Sequence, residues 1–234
     1  MTLQRNISAY ISGIAISLLM LAAALPAAAQ RKDTVQKNDS VPLFNGITVA
    51  ADLAGPVQMA VGDYGQYEAS LRVNLKDRYF PVLELGVGRT DYTDDVTQTS
   101  YKTSAPFGRI GMDFNLLKDK HDIYKLYAGV RYAFTSFKYD LSHPGVSDPV
   151  WGDKAPYGAK DVDCSYHWLE FGIGADAKIW GPVHMGWSLR YRKRASYDDG
   201  RLGKSWYVPG YGKSDGSAIG VLFNIAVEIL RHKM

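Results

Sequence analysis

The sequence predicts an all-β chain, an eight-stranded antiparallel up-and-down transmembrane β-barrel of the small outer-membrane protein type. Three observations carry that prediction. Apolar and polar residues alternate with period two through successive segments from about Phe44 onward. The connections between those segments alternate long and short. The only long apolar run lies at the N-terminus, where it has the layout of an export signal.

The N-terminus comes first in the chain. Arg5 is the only charged residue among the first 29. An apolar stretch follows from Ile11 through Leu25 and ends at Pro26-Ala27-Ala28-Ala29. A basic start, an apolar core and small residues before the cut define a cleavable secretory signal, so residues 1–29 are expected to be removed after Ala29. No cysteine closes the apolar run, which argues against a lipid anchor. Residues 30–43 are polar and charged and read as a flexible periplasmic leader. The barrel domain is expected over 44–230.

The barrel segments then follow in order. Phe44–Leu53 sets Ile47, Val49, Ala51 and Leu53 against Thr48, Ala50 and Asp52. Tyr67–Leu75 sets Ala69, Leu71 and Val73 against Glu68, Ser70 and Arg72. Phe80–Thr90 sets Leu83, Leu85 and Val87 against Glu84, Gly86 and Gly88. Phe107–Leu116 sets Ile110, Met112 and Phe114 against Arg109, Gly111 and Asp113. Tyr124–Phe137 sets Leu126, Val130 and Tyr132 against Tyr127, Gly129 and Arg131. Tyr166–Ile179 sets Leu169, Phe171 and Ile173 against Glu170, Gly172 and Asp176. Val183–Arg192 sets Met185, Trp187 and Leu189 against His184, Arg190 and Arg192. Ser217–Ile229 sets Ile219, Val221 and Ile225 against Gly220, Asn224 and Glu228. These lengths suit the ~9–11 residues that cross a bilayer at a tilt. No stretch shows a convincing helical period.

The odd connections, Ala54–Gln66, Asp91–Pro106, Lys138–Ser165 and Lys193–Gly216, are long and are expected outside the cell. The even ones, Lys76–Arg78, Leu117–Ile123 and Trp180–Pro182, are short and are expected in the periplasm.

Alternation alone does not say which face points inward. A soluble lipocalin-like barrel would be apolar inside. Here Gly86, Gly111, Gly129, Gly172, Gly186 and Gly220 all share the charged face. A narrow lumen needs such gaps for neighbouring arginine and glutamate side chains, whereas a solvated outer face does not. The charged face is therefore expected inside. Its charges are Asp52, Glu68, Glu84, Asp113, Glu170, Asp176 and Glu228 against Arg72, Arg109, Arg131, Lys178, Arg190 and Arg192. That near balance predicts a salt-bridged, plugged lumen rather than an ion-selective pore. Aromatic residues near segment ends are expected at headgroup depth. Tyr79, Phe80, Tyr124 and Trp180 lie at the short-turn end; Tyr67, Tyr92, Tyr101, Phe107, Phe137, Tyr139, Tyr166 and Trp168 lie toward the other.

With the strands in place, particular stretches carry a family resemblance. They are Asp63-Tyr64-Gly65-Gln66-Tyr67, Asn115-Leu116-Leu117-Lys118, Arg131-Tyr132-Ala133-Phe134-Thr135, His143-Pro144-Gly145, Tyr166-His167-Trp168-Leu169-Glu170 and Ile179-Trp180-Gly181-Pro182. Through them the chain resembles a family of unknown function among the small outer-membrane barrels of Bacteroidota. The resemblance implies outer-membrane lipid, lipopolysaccharide and the outer-membrane assembly machinery as partners. It implies no activity.

The chemistry is otherwise spare. The balanced charge, +3 overall, does not suggest a nucleic-acid partner. The single Cys164 forms no intramolecular disulfide and reads as a buried, inert thiol. The histidines show no metal-ligand spacing, so no metal, cofactor or catalytic residue is assigned. Asp94-Asp95 and Asp198-Asp199-Gly200 read as solvated turns rather than calcium loops. A lipid A-modifying barrel enzyme, with His167, Ser165 and Glu170 at the rim, is the alternative; a small porin is another. Glu170 falls on the lumen face and His167 on the lipid face, which disfavours the enzyme. The expectation is a non-enzymatic barrel that is structural or binds a ligand or partner through its long outer loops.

Overall fold

The computed structural model describes residues 42–119, 122–147 and 154–231. The predicted signal peptide and the leader up to Val41 lie outside the described residues. The elements are β1 (Phe44–Asp52), α1 (Ala54–Val61), β2 (Tyr64–Leu75), β3 (Tyr79–Thr93), β4 (Ser100–Asn115), β5 (Tyr124–Ser147), β6 (Lys154–Trp180), β7 (Val183–Asp198), the short β8 (Tyr207–Val208) and β9 (Gly212–Lys213), and β10 (Ser217–Arg231).

Eight strands close a ring in the order β1-β10-β7-β6-β5-β4-β3-β2, and every neighbouring pair is antiparallel. Each strand except the first and last pairs with its sequence neighbours in the ring, and β1 closes on β10. This is the up-and-down barrel that the period-two pattern predicted, and closure leaves the wall without a free edge.

The faces fall as the glycines indicated. Leu85, Ile110, Phe171 and Ile173 are more than half exposed on the outer wall. Glu84, Arg109, Asp113 and Glu170 are 0–1% exposed inside. The glycines make that interior possible. A Cβ on Gly129 would lie 1.9 Å from Asp113 Oδ1, and one on Gly220 would lie 2.8 Å from Arg192 Nη2.

The connections depart from expectation in four places. The first holds an eight-residue helix, α1. The Asp52 carboxylate accepts from Ala54 N at 3.2 Å and Gly55 N at 2.8 Å and so holds the first turn. Two turns are too short to show a period, so the sequence pattern missed them. The third connection is mostly strand: β3 runs to Thr93, β4 starts at Ser100, and Asp94 Oδ1 caps the turn by accepting from Val96 N and Thr97 N. The fifth is also strand. β5 stays paired with β4 out to Ser142, and beyond it β5 and β6 continue as a two-stranded ribbon from the His143–Tyr157 pair to, past a register shift, Ser147 and Lys154. The seventh turns back into the barrel mouth, as described below.

The short turns hold. Lys76 and Asp77 both take φ near 55°, a tight hairpin turn, and Trp180 to Val183 turns through Gly181 at φ 53°. Asp77 folds in toward the lumen. Its carboxylate accepts from Asn45 Nδ2 at 2.9 Å and Asn74 Nδ2 at 2.6 Å, and its carbonyl accepts from Asn115 Nδ2 at 2.9 Å. Three asparagines thus close the short-turn end around one turn residue.

Candidate functional site

Among the described residues no group of three or more His, Cys, Asp or Glu could hold a metal ion. What the fold concentrates is charge inside the barrel and aromatic rings above it.

The charges sit on strands that are far apart in sequence. Glu84 on β3 is the centre. Its carboxylate accepts from both terminal nitrogens of Arg190 at 2.7 and 2.9 Å, a bidentate pair across the lumen, and from Arg131 Nε at 2.8 Å. Arg109 Nη1 reaches it at 3.3 Å and reaches Glu68 at 2.5 Å. Arg109 Nε lies 2.8 Å from Glu170, which also faces Arg192 Nε at 3.3 Å and accepts from Trp168 Nε1 at 2.7 Å. Arg131 Nη2 donates to Asp113 at 3.0 Å, and Arg72 bridges Asp113 and Asp176 at 3.3 and 3.6 Å. Below them His184 Nδ1 contacts Asp176 at 3.0 Å. Arginine suits this layer because its planar fork serves several carboxylates at once and stays charged.

Two members of the expected lumen list do something else. Asp52 caps α1 and accepts from Phe223 N at 3.1 Å. Lys178 is half-buried near the short-turn end and makes no described ion pair.

Above the charges, the seventh connection enters the mouth. Tyr207, Val208, Pro209 and Tyr211 are fully buried there. Two lumen arginines hold its tip by the backbone: Arg109 Nη2 donates to Gly210 O at 2.7 Å and Arg192 Nη1 to Tyr211 O at 2.8 Å. The Tyr207 hydroxyl donates to Gly65 O at 3.1 Å, and the Tyr101 hydroxyl donates to Tyr207 O at 2.9 Å. Burial pushes the Tyr207 phenol well above its ordinary value, so it stays a neutral donor. Gly210 takes φ +80° against the Phe107 ring, where a side chain would be strained and would clash.

The rings that pack around this segment correct the expected aromatic belt. Tyr101, Phe107, Phe137, Tyr139, Tyr166 and Trp168 point inward and are 0–4% exposed. Phe80 is likewise buried at the other end. The signal was present in the sequence: each shares the parity of its strand's lumen charge, Phe107 with Arg109 and Trp168 with Glu170. The Tyr166 hydroxyl donates to Asp199 and lies near Ser205 Oγ and Ser214 Oγ, so it ties both ends of the inserted segment to β6. Outward rings remain at Tyr79, Phe114, Tyr132, Tyr191 and Trp180.

His167 is outward, half-buried, and lies 2.8 Å from the Tyr132 hydroxyl by Nδ1. Glu170 is inside against Arg109. The rim residues considered for acyl chemistry are thus not brought together with that acid. Cys164 is buried, as expected.

Solved structures with a similar course include the attachment invasion locus protein Ail of Yersinia pestis, at 10% identity and TM-score 0.41, covering 80% of this chain and 99% of that one. Neisserial surface protein A matches at 12% identity and TM-score 0.39, covering 80% and 98%. A major outer membrane protein from Thermus thermophilus matches at 15% identity and TM-score 0.40, covering 80% and 98%. No curated protein matches the sequence. The profile of one family, described as Domain of unknown function (DUF6048), matches residues 9–230, and the chain belongs to that family.

Proposed function

We propose that this protein is an integral outer-membrane β-barrel, exported by its N-terminal signal, whose lumen is sealed and which works through its outer surface. Its role is structural, or it binds a ligand or partner through the strands and loops above the barrel. The carrying observation is the inverted polarity of the wall. Apolar side chains cover the outside, while a balanced set of arginines and carboxylates is buried within. Water outside such a wall would leave a continuous apolar girdle exposed, and hydrocarbon relieves that cost.

The seal has two layers in series. The charge layer fills the cross-section, as expected where a barrel of about eight strands has room only for its own side chains. The inserted segment closes the mouth above it. Rings of one charge sign favour conduction, whereas mutually neutralised ones do not. No reaction is proposed, since the acid nearest His167 in sequence is committed to the lumen.

The test has two parts. Carbonate extraction of membranes should leave the protein in the pellet, and recovery in the soluble periplasmic fraction would reject membrane insertion. In planar bilayers the purified protein should show almost no current; stable, large single-channel steps would reject the sealed lumen and make the chain a small porin.

A further inference from the structure

The outer wall ends differently at its two edges. At the short-turn edge exposed rings, Phe44, Tyr79, Phe114 and Trp180, stand among aliphatic residues, and the cations Lys76 and Arg78 are in the turn between strands. At the long-connection edge two exposed cations interrupt the wall, Arg89 on β3 and Lys193 on β7. Each directly follows the last outward apolar residue of its strand, Val87 and Tyr191 respectively.

These cations stand at one height. Barrel strands tilt, so a row of paired residues changes height as it crosses the wall. The row from Lys193 runs through Leu169, Tyr132, Ile110 and Leu83. On β3 the polar border comes only after Leu85 and Val87, at Arg89. That offset is what tilt produces when both residues mark the same border.

Their electrostatic setting differs from that of the outward cations on β4 and β5. Beyond the border, Lys102 pairs with Asp91 at 2.7 Å and Lys138 with Asp163 at 3.4 Å. Arg89 and Lys193 have no carboxylate or hydrogen-bond partner among the described residues. Cations at the last apolar rung lie at headgroup depth, where an aliphatic stem can rest on hydrocarbon while the charge meets a phosphate.

We infer that Arg89 and Lys193 are separate anchors, on opposite walls, for the phosphate groups of lipopolysaccharide in the outer leaflet. The inference rests on the outer-membrane reading above. The placement of the two cations supports it: both lie on the strand wall itself beside outward apolar residues, whereas the exposed cations Lys76 and Arg78 of the short-turn end sit in a connecting turn beyond the wall.

The experiment uses the full mature protein folded in non-ionic detergent, titrated with purified lipopolysaccharide while the thermal unfolding midpoint is followed. The wild type should show a saturable rise. The double variant Arg89→Gln/Lys193→Gln should need roughly thirtyfold more lipopolysaccharide, the loss expected for two cations at an anionic surface. Dephosphorylated lipopolysaccharide should titrate the wild type as weakly as intact lipopolysaccharide titrates the double variant. Lys102→Gln, which removes a paired cation, should leave the curve in place. Superimposable curves for wild type and double variant, or for intact and dephosphorylated lipid, would overturn the assignment. A rise with inorganic phosphate alone would instead mark a free-anion site and overturn the lipid assignment. Carbonate extraction of both proteins separates the two claims. If both stay in the pellet while the curves superimpose, the anchors fail and the membrane reading stands.

Discussion

Replacing Glu84 by alanine tests the lumen most sharply. Glu84 is 1% exposed and accepts from Arg190 at 2.7 and 2.9 Å, from Arg131 at 2.8 Å and from Arg109 at 3.3 Å. Removing it leaves those guanidinium groups facing one another with one carboxylate fewer. Arginine cannot shed its proton to relieve this. Breaking a buried ion pair from one side costs about 3–5 kcal/mol, because the surviving charge stays desolvated without a partner. The control is Lys102→Ala. Its pair with Asp91 is also 2.7 Å long, but the side chains are 60% and 53% exposed. Exposed pairs contribute about 0–1 kcal/mol, because water screens them. Equal distance and unequal burial thus predict a severalfold difference. Denaturant unfolding in detergent micelles, followed by gel mobility and tryptophan fluorescence, measures it. If Glu84→Ala and Lys102→Ala cost the same, the lumen charges are hydrated and the sealed interior is wrong.

Further outcomes follow from the same geometry. Val130→Arg or Ile173→Arg places a cation on the outer wall and should cost about 2–4 kcal/mol of folding stability in bilayers, whereas Ser136→Glu beyond the border should be nearly neutral; ready insertion of Val130→Arg would shift the register by one residue. A tag at Gly203, which is exposed with open space around it, should be labelled by antibody on intact cells, and one at Asp119 should not. Gly210, within the long connection Lys193–Gly216, should not tolerate a tag, since it is buried against Phe107. Tyr207 has a folded-state value raised above that of the unfolded chain, so its contribution is complete below about pH 10 and is lost as pH rises beyond that. Tyrosinate absorbance should therefore appear together with loosening of the inserted segment, and Tyr207→Phe should remove that component. His167→Ala should leave membrane lipid acylation unchanged; a specific change in lipid A on deletion of the protein, reproduced by His167→Ala, would establish the enzymatic alternative.

The sequence by itself determined the eight wall strands, their up-and-down order and which face of each carries charge, but not how far β3 to β6 extend. Side-chain period is a local property of extended backbone, and glycines such as Gly86, Gly129 and Gly220 on the charged face made its direction legible as well. Parity also marked Phe107, Tyr166 and Trp168 as inward, although position at a segment end first suggested a headgroup belt. Tertiary structure alone decided the rest. Glu84 and Arg190 meet across 106 residues, and nothing local chooses Arg190 for Glu84 over the other lumen arginines. The inward course of Ser205–Ser214 is equally non-local. It depends on Arg109 and Arg192 offering donors to two backbone carbonyls, and on rings from several strands leaving a space of matching shape. A chain written in short periods can state which way each side chain points, but partners inside a closed ring are set by tilt and register, which exist only once β1 has met β10.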